Sequence, residues 1–110
     1  MNRACMHVDG RTQCFAVWGH PIGHTFSPMI HELFIKECGD NMAYLAFDVA
    51  PEALPEALRG AWAMGFGGIN LTIPHKERVI PYLSGMDPLA RKVGAVNTLK
   101  RTEEGFYGYN

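Results

Sequence analysis

Short apolar runs of strand length alternate along this chain with segments that carry helix signals. Gln13–Gly19 and Met42–Asp48 are two such runs. After the first, Ser27-Pro28 suits the N-cap and first position of a helix, and after the second, Pro51 opens an amphipathic segment that ends near Gly65. Strands that are joined through helices run parallel to each other. The alternation therefore predicts an α/β fold with a mainly parallel sheet.

The second half of the chain adds a strand and a hairpin. Apolar and polar residues alternate in Gly68–Pro74, which places Asn70 and Thr72 on one face of the strand. The remaining segments are a short helix, a turn or helix, and the two strands of a hairpin, at His75–Leu83, Pro88–Val93, Asn97–Arg101 and Gly105–Tyr109. Together these elements predict a three-layer α/β sandwich, with a mainly parallel sheet and an antiparallel hairpin strand.

Composition restricts the classes of function. The chain has 110 residues, which is enough for one domain with its own core. Its formal net charge of −1 gives no basic field to attract nucleic acid or an anionic membrane. No apolar run reaches the roughly 18–20 residues that span a bilayer. The three cysteines are odd in number and widely spaced, which indicates a reducing compartment and hence a cytoplasmic location.

Familiar cofactor and metal motifs are incomplete in this sequence. The glycine-rich segment Gly65–Asn70 resembles a dinucleotide fingerprint, but its third glycine is replaced and it precedes a strand instead of following one. His31-Glu32 begins like a zinc-protease helix, but Ile35 stands where the second ligand is required. No cofactor-binding and no metal-binding residue is therefore predicted.

Hydroxyl, amide and ammonium groups stand where predicted strands end and helices begin. Ligands of open α/β sheets bind outside the carboxyl ends of the strands, and each buried oxygen of a ligand needs a polar partner. This set of groups suits a small polyhydroxylated carboxylate. Structural explanations stay open, since Ser27 also fits a helix cap, and Asn70 and Thr72 also fit a solvated strand face. The candidate binding residues are Thr25, Ser27, Asn70, Thr72, Lys76 and Asn97.

Lys76 is the candidate catalytic residue. It follows Pro74-His75 and falls in the first turn of a predicted helix. An ammonium at that position faces the positive end of the helix dipole, at a cost of about 0.3–1 kcal/mol. A lysine held in such a field is suited to exchange protons with a ligand. Position alone leaves a functional role and a surface role equally open.

Four segments resemble the N-terminal substrate-binding domain of the shikimate dehydrogenase family. They are GHPIGHTFSPMIH at Gly19–His31, GINLTIPHKE at Gly68–Glu77, GAVNTL at Gly94–Leu99 and the closing GYN at Gly108–Asn110. With matching spacing they cover about Phe15 to Asn110. The resemblance implies a reversible reduction of 3-dehydroshikimate to shikimate that uses NADP.

The same resemblance implies a role for each candidate residue. Thr25 and Ser27 match the pair of hydroxyls that hold the substrate carboxylate, although the family usually has serine in place of Thr25. Asn70, Thr72 and Asn97 match contacts to the substrate hydroxyls and carboxylate. Lys76 matches the catalytic lysine, which acts on the proton of the reacting hydroxyl.

The resemblance also implies a domain that this sequence lacks. The family's closing motif reads N-T-D-G, and its aspartate partners the lysine, whereas this sequence stops at Asn110. Residues 1–110 are thus expected to form the substrate-binding domain, with the C-terminal NADP-binding Rossmann domain absent from this chain. Such a fragment is expected to bind shikimate or 3-dehydroshikimate, to leave NADP unbound and to be inactive without its C-terminal domain. The alternatives are a non-catalytic shikimate- or quinate-sensing module and a fragment of a quinate/shikimate dehydrogenase.

Overall fold

The computed structural model describes residues 8–22 and 41–110, which together form a mixed six-stranded sheet with helices. The strands are β1 (Gln13–Gly19), β2 (Met42–Asp48), β3 (Gly68–Leu71), β4 (Gly85–Met86), β5 (Thr98–Thr102) and β6 (Gly105–Tyr109). The sheet has the order β2-β1-β3-β5-β6-β4, and its pairings are parallel except for those of β5, which runs antiparallel to both β3 and β6. The predicted α/β class, with a mainly parallel sheet and an antiparallel hairpin strand, is confirmed.

Three α-helices follow strands of this sheet within the described ranges. They are α1 (Leu54–Ala63), α2 (His75–Arg78) and α3 (Pro88–Val93), and α1 is preceded by a 3₁₀ turn at Pro51–Ala53. The helix predicted to begin at Ser27 lies outside the described residues. In the part of the chain described, no helix is both long and apolar enough to cross a bilayer.

One face of the sheet packs on α1 and forms the apolar core. Ala16 and Ile69 lie opposite each other in β1 and β3, and both are almost completely buried. Leu54, Leu58 and Ala61 of α1 cover this face at helical spacing. Because side chains alternate along a strand, Asn70 is directed to the other face. The α1 face therefore closes the core and leaves the second face for polar groups.

Two of the predicted elements have different bounds in the structure. The strand predicted over Gly68–Pro74 ends at Leu71, since the chain turns at Thr72, whose carbonyl accepts from His75 N at 2.9 Å. The helix predicted over His75–Leu83 divides into α2 and a 3₁₀ turn at Ile80–Tyr82. Pro81 lacks the N–H that an α-helix would donate to the carbonyl four residues earlier.

The segment after this break is only partly predictable. The helix α3 has a strong start signal, because the Asp87 carboxylate accepts from Ala90 N at 2.9 Å, and it ends at Gly94 with φ +79°. The hairpin is confirmed, with strands that meet at a turn formed by Glu103 and Glu104. β4 was not predicted, because two residues are too short to show an alternating pattern.

Gly19 at the end of β1 allows a test of how closely this strand end packs against the segment that follows β3. A Cβ atom on Gly19 would lie 2.4 Å from Thr72 Cγ2 and 3.0 Å from Ile22 Cδ1. We expect Gly19→Ala to lower the free energy of unfolding by about 1–3 kcal/mol, as overpacking does. Urea unfolding of the purified chain measures this.

Gly60→Ala is the matched control for this substitution. Gly60 lies inside α1, and a Cβ there would meet nothing within 4 Å. The control should raise stability by about 0.5–1 kcal/mol, because alanine favours a helix more than glycine does. Equal urea midpoints for Gly19→Ala and the unmodified chain would show that Thr72 does not pack closely against this glycine.

Candidate functional site

Main-chain hydrogen bonds gather the ends of several strands at one edge of the sheet. Thr72 N donates to Trp18 O, Leu71 N to Asn97 O, and Asn97 N to Tyr109 O, each at 2.9 Å. These bonds join the carboxyl ends of β1, β3 and β6 to the beginning of antiparallel β5. Thr72 and Asn97, which are 25 positions apart in the sequence, therefore flank the same edge.

Lys76 is fixed to this edge through its backbone. His75 N donates to Thr72 O at 2.9 Å, and Val96 N donates to Lys76 O at 2.8 Å. The Lys76 side chain is exposed and lines a shallow cavity of about 480 Å³ together with Ile73, Pro74 and Ala95. The backbone thus holds the lysine beside the segment that carries Asn97.

The helix-dipole interpretation of Lys76 needs correction. The helix α2 has only four residues, which is a single turn. A dipole builds up from aligned peptide units, so one turn provides little of the field expected from the sequence. Lys76 is consequently a candidate catalytic residue because of its place beside Thr72 and Asn97, and not because of a helix dipole.

A series of side-chain hydrogen bonds crosses the second face of the sheet. The Tyr44 hydroxyl donates to Asn70 Oδ1 at 2.7 Å, and Asn70 Nδ2 donates to Thr98 Oγ1 at 3.4 Å. The Thr98 hydroxyl donates in turn to Asn97 Oδ1 at 3.0 Å. Burial raises the pKa of Tyr44 above its ordinary value, which keeps the phenol protonated and able to donate. Asn70 is therefore already engaged at both ends of its amide.

A histidine–carboxylate pair lies at the neighbouring strand ends. His20 Nδ1 and Asp48 Oδ1 are 2.6 Å apart, and the two side chains are 47% and 52% exposed. The pair forms because parallel β1 and β2 end side by side, with Gly19 opposite Asp48. At this exposure the pair contributes at most about 1 kcal/mol to stability.

His75 is the buried titratable group of the site. Its side chain is 0% exposed, and within the described residues neither ring nitrogen has a hydrogen-bond partner. Burial lowers the pKa of His75 below 6.5 and outweighs the nearby backbone of Val49 and Gly19, which favours the protonated ring. His75 thus anchors the turn that carries Lys76 as a neutral, buried ring.

The structure brings together four of the six residues predicted from the sequence. Thr72, Lys76 and Asn97 lie at the strand-end edge, and Asn70 lies one step inside it on the second face. Thr25 and Ser27 lie outside the described residues. Sequence reasoning missed Tyr44 and Thr98, whose hydrogen bonds depend on the order of strands in the sheet, and it missed the burial of His75.

A groove elsewhere on the molecule has a similar volume to the cavity beside Lys76 but contains none of the described candidate residues. It measures about 500 Å³ and lies between α1 and the β5–β6 hairpin, where Trp62 Nε1 donates to Thr102 O at 2.7 Å. The Arg101 guanidinium stacks 4.5 Å from the centroid of the Trp62 ring. Among the described candidates, none of Asn70, Thr72, Lys76 and Asn97 lines this groove.

These observations define a class of protein. Residues that carry amide, hydroxyl and ammonium groups lie at the strand ends of a mixed α/β sheet, where such folds bind small polar ligands. Residues 17–99 match the family model described as the shikimate dehydrogenase substrate binding domain. The match covers most of the chain, which belongs to this family.

Curated relatives and solved structures agree with this assignment. The chain is 47% identical over 103 residues to shikimate dehydrogenase (NADP(+)) of Anaeromyxobacter dehalogenans, and the match covers 94% of this chain and 37% of the relative. The enzyme of the same name from Moorella thermoacetica is 46% identical, with 96% and 36% covered. The Thermus thermophilus shikimate 5-dehydrogenase, in complex with NADP(H) and shikimate, superposes with a TM-score of 0.80 at 39% identity, covering 89% of this chain and 37% of that one. The chain thus spans little more than a third of the length of these relatives.

The buried state of His75 predicts a pH dependence of stability. Because its pKa is lowered in the folded chain, the unfolded chain binds more protons between that pKa and 6.5. Stability is therefore fully present above about pH 6.5 and is lost as the pH falls below it. We expect His75→Leu to reduce the difference in stability between pH 7.5 and pH 5.5, measured by urea unfolding.

Gly60→Ala serves again as the control for this measurement. It changes stability without adding or removing a titratable group. The free energy of unfolding should therefore change by the same amount at pH 7.5 and at pH 5.5. A pH dependence that is as steep in His75→Leu as in the unmodified chain would show that other groups cause it.

Proposed function

We propose that residues 1–110 are the substrate-binding domain of an NADP-dependent shikimate dehydrogenase. The enzyme would interconvert 3-dehydroshikimate plus NADPH and shikimate plus NADP. The observation that carries the proposal is the set of main-chain hydrogen bonds that holds Thr72, Lys76 and Asn97 at one strand-end edge, in a chain of this family. Hydroxyl, ammonium and amide groups match the chemistry of a ring that carries a carboxylate and several hydroxyls.

The three groups have different chemical uses in this proposal. The Thr72 hydroxyl and the Asn97 amide would bind oxygens of the substrate, because each buried oxygen requires a partner. The Lys76 ammonium would donate a proton to the carbonyl oxygen during reduction and recover it from the hydroxyl in the reverse direction. Thr25 and Ser27 would hold the substrate carboxylate through their hydroxyls, as the family resemblance implies.

The glycine-rich segment of this chain lies in a different context from a dinucleotide fingerprint. Gly65–Gly68 is the turn that joins α1 to β3, with Gly65 at φ +84° and Gly67 N donating to Cys14 O at 2.9 Å. A dinucleotide fingerprint instead follows a strand and opens a helix. NADP would accordingly be bound by a C-terminal domain of the whole enzyme.

Two alternatives to this function stay open. One is a non-catalytic sensor of shikimate or quinate, and the other is a quinate/shikimate dehydrogenase. All three use the same pocket, so binding alone does not separate them. Turnover by a protein that continues through the N-T-D-G motif and a cofactor domain favours an enzyme, and the ratio of shikimate to quinate turnover separates the two enzymes. The cytoplasmic location expected from the cysteines stays a prediction.

Lys76 provides the catalytic test in such a complete protein. We expect Lys76→Ala to lower kcat by at least about a hundredfold, since it removes the group that exchanges the proton, while KM for shikimate changes less. Lys76→Arg keeps the charge but cannot exchange the proton, so its kcat should fall as well. Steady-state kinetics measure both parameters.

Lys92→Ala is the matched control, because Lys92 is an exposed lysine at the end of α3. Its kcat and KM should equal those of the unmodified enzyme. A large rise in KM for Lys76→Ala with kcat within a few-fold of normal would limit Lys76 to binding.

The 110-residue chain itself provides a binding test. We expect it to bind shikimate weakly, with a dissociation constant towards the millimolar range. The missing aspartate removes a charge-assisted contact of about 1.5–3 kcal/mol, and each 1.4 kcal/mol is about tenfold in affinity. NMR titration should show saturable shifts with shikimate and none with NADP. Saturable shifts with NADP would contradict the proposed division of work between the domains.

A further inference from the structure

A series of side-chain hydrogen bonds on the second face of the sheet runs in one direction. Tyr44 donates to Asn70, Asn70 donates to Thr98, and Thr98 donates to Asn97. We refer to these four residues as the polar relay. Each member accepts at one atom and donates from another, so the bonds polarise one another in the same sense. The direction of the relay fixes which end of each amide is used.

At the end of the relay, the Asn97 amide has a defined orientation. Its Oδ1 accepts from the Thr98 hydroxyl at 3.0 Å, so its Nδ2 lies on the side away from Thr98. Thr98 has one hydroxyl proton and gives it to Asn97, so a flip of the amide would lose this bond. Among the described residues none accepts a hydrogen bond from the two N–H groups of Asn97, which leaves them available to a ligand.

The strand order makes this relay possible, because only one strand separates Tyr44 from Asn70. Tyr44 lies opposite Phe15, and Asn70 lies opposite Val17, so β1 runs between them. The Tyr44 side chain reaches across β1 and brings its hydroxyl to 2.7 Å from Asn70 Oδ1. Tyr44, Asn70 and Thr98 all line a groove of about 320 Å³.

Asn97 lies between this groove and the cavity beside Lys76. Its neighbour Val96 is bonded to the Lys76 carbonyl at 2.8 Å, and its other neighbour, Thr98, lines the groove. Asn97 is only partly buried, so N–H groups that have no acceptor in the described part of the chain remain accessible. A residue that fixes the Asn97 amide can therefore influence the proposed substrate site.

We propose that Tyr44, Asn70 and Thr98 are positioning residues that hold the Asn97 amide with its N–H groups towards the substrate. This inference rests on the proposed function and adds the chemistry that Asn97 uses. A donor amide binds an oxygen that acts as an acceptor, which a carboxylate, a ketone and a hydroxyl can all be. Asn97 can thus bind the oxidised and the reduced form of the substrate without reorientation.

The affinity of the 110-residue chain for shikimate, measured by NMR titration, tests the relay. Thr98→Val removes the hydroxyl with little change in shape and should weaken binding by about 3- to 10-fold, the effect of one hydrogen bond. Thr98→Ser restores the hydroxyl and should stay within about 2-fold of the unmodified chain. Tyr44→Phe should weaken binding by about 2- to 5-fold, because it acts through the long 3.4 Å contact.

Tyr107→Phe is the matched control for the tyrosine substitution. Tyr107 lies on the same face of the sheet, opposite Lys100, and its hydroxyl donates to Met86 O at 2.9 Å outside the relay. This variant loses a comparable hydrogen bond and should bind shikimate like the unmodified chain. Equal losses for Tyr44→Phe and Tyr107→Phe would overturn the inference.

A double-mutant cycle separates positioning from general stabilisation. In an Asn97→Ala background, Thr98→Val should cause no further loss of affinity, because the residue through which it acts is gone. A merely structural role of Thr98 would weaken binding to the same extent in both backgrounds. That result would contradict the relay.

The side-chain amide signals of the ligand-free chain give a readout that does not depend on shikimate. We expect the Asn97 side-chain protons to exchange with water faster than those of Asn70, and Thr98→Val to shift the Asn97 signals. Protected Asn97 protons would mean that its NH₂ donates within the chain, which would overturn the proposed orientation. If the unmodified chain does not bind shikimate, the proposed function fails, and these signals still decide the orientation.

Discussion

The insertion of one antiparallel strand determines where the candidate site residues lie. In a wholly parallel sheet, all strands would begin at one edge and end at the other. Because β5 runs against β3 and β6, its first residues lie at the edge where those strands end. Asn97, which precedes β5, is thereby bonded to Leu71 at the end of β3 and to Tyr109 at the end of β6. Without this reversal, Asn97 and Thr72 would lie at opposite edges of the sheet.

The two faces of the sheet perform different tasks. The face that contains Ala16 and Ile69 is closed by α1 and supplies the apolar burial that stabilises the fold. The other face carries the polar relay, whose four residues are joined by hydrogen bonds. This separation lets a small domain place amides and hydroxyls near a ligand without interrupting its core.

Some of this arrangement could be predicted from the sequence, because it depends on local signals. Alternation predicted β3 and the face of Asn70, and the segment Pro88–Val93, where α3 lies, was predicted as a turn or helix. Lys76 stays a candidate that the family resemblance implies. The contact of Tyr44 with Asn70 was not predictable, since it requires the strand order β2-β1-β3. The early end of β3 depends on a turn closed by His75, whose burial no local pattern indicates.

A crystal structure of the chain grown with shikimate tests whether the strand-end edge binds the substrate. We expect electron density for the ligand beside Thr72 and Lys76, with an oxygen of shikimate within hydrogen-bond distance of Asn97 Nδ2. Density for shikimate in the groove between α1 and the hairpin, or a ligand at the edge that faces Asn97 Oδ1, would contradict it.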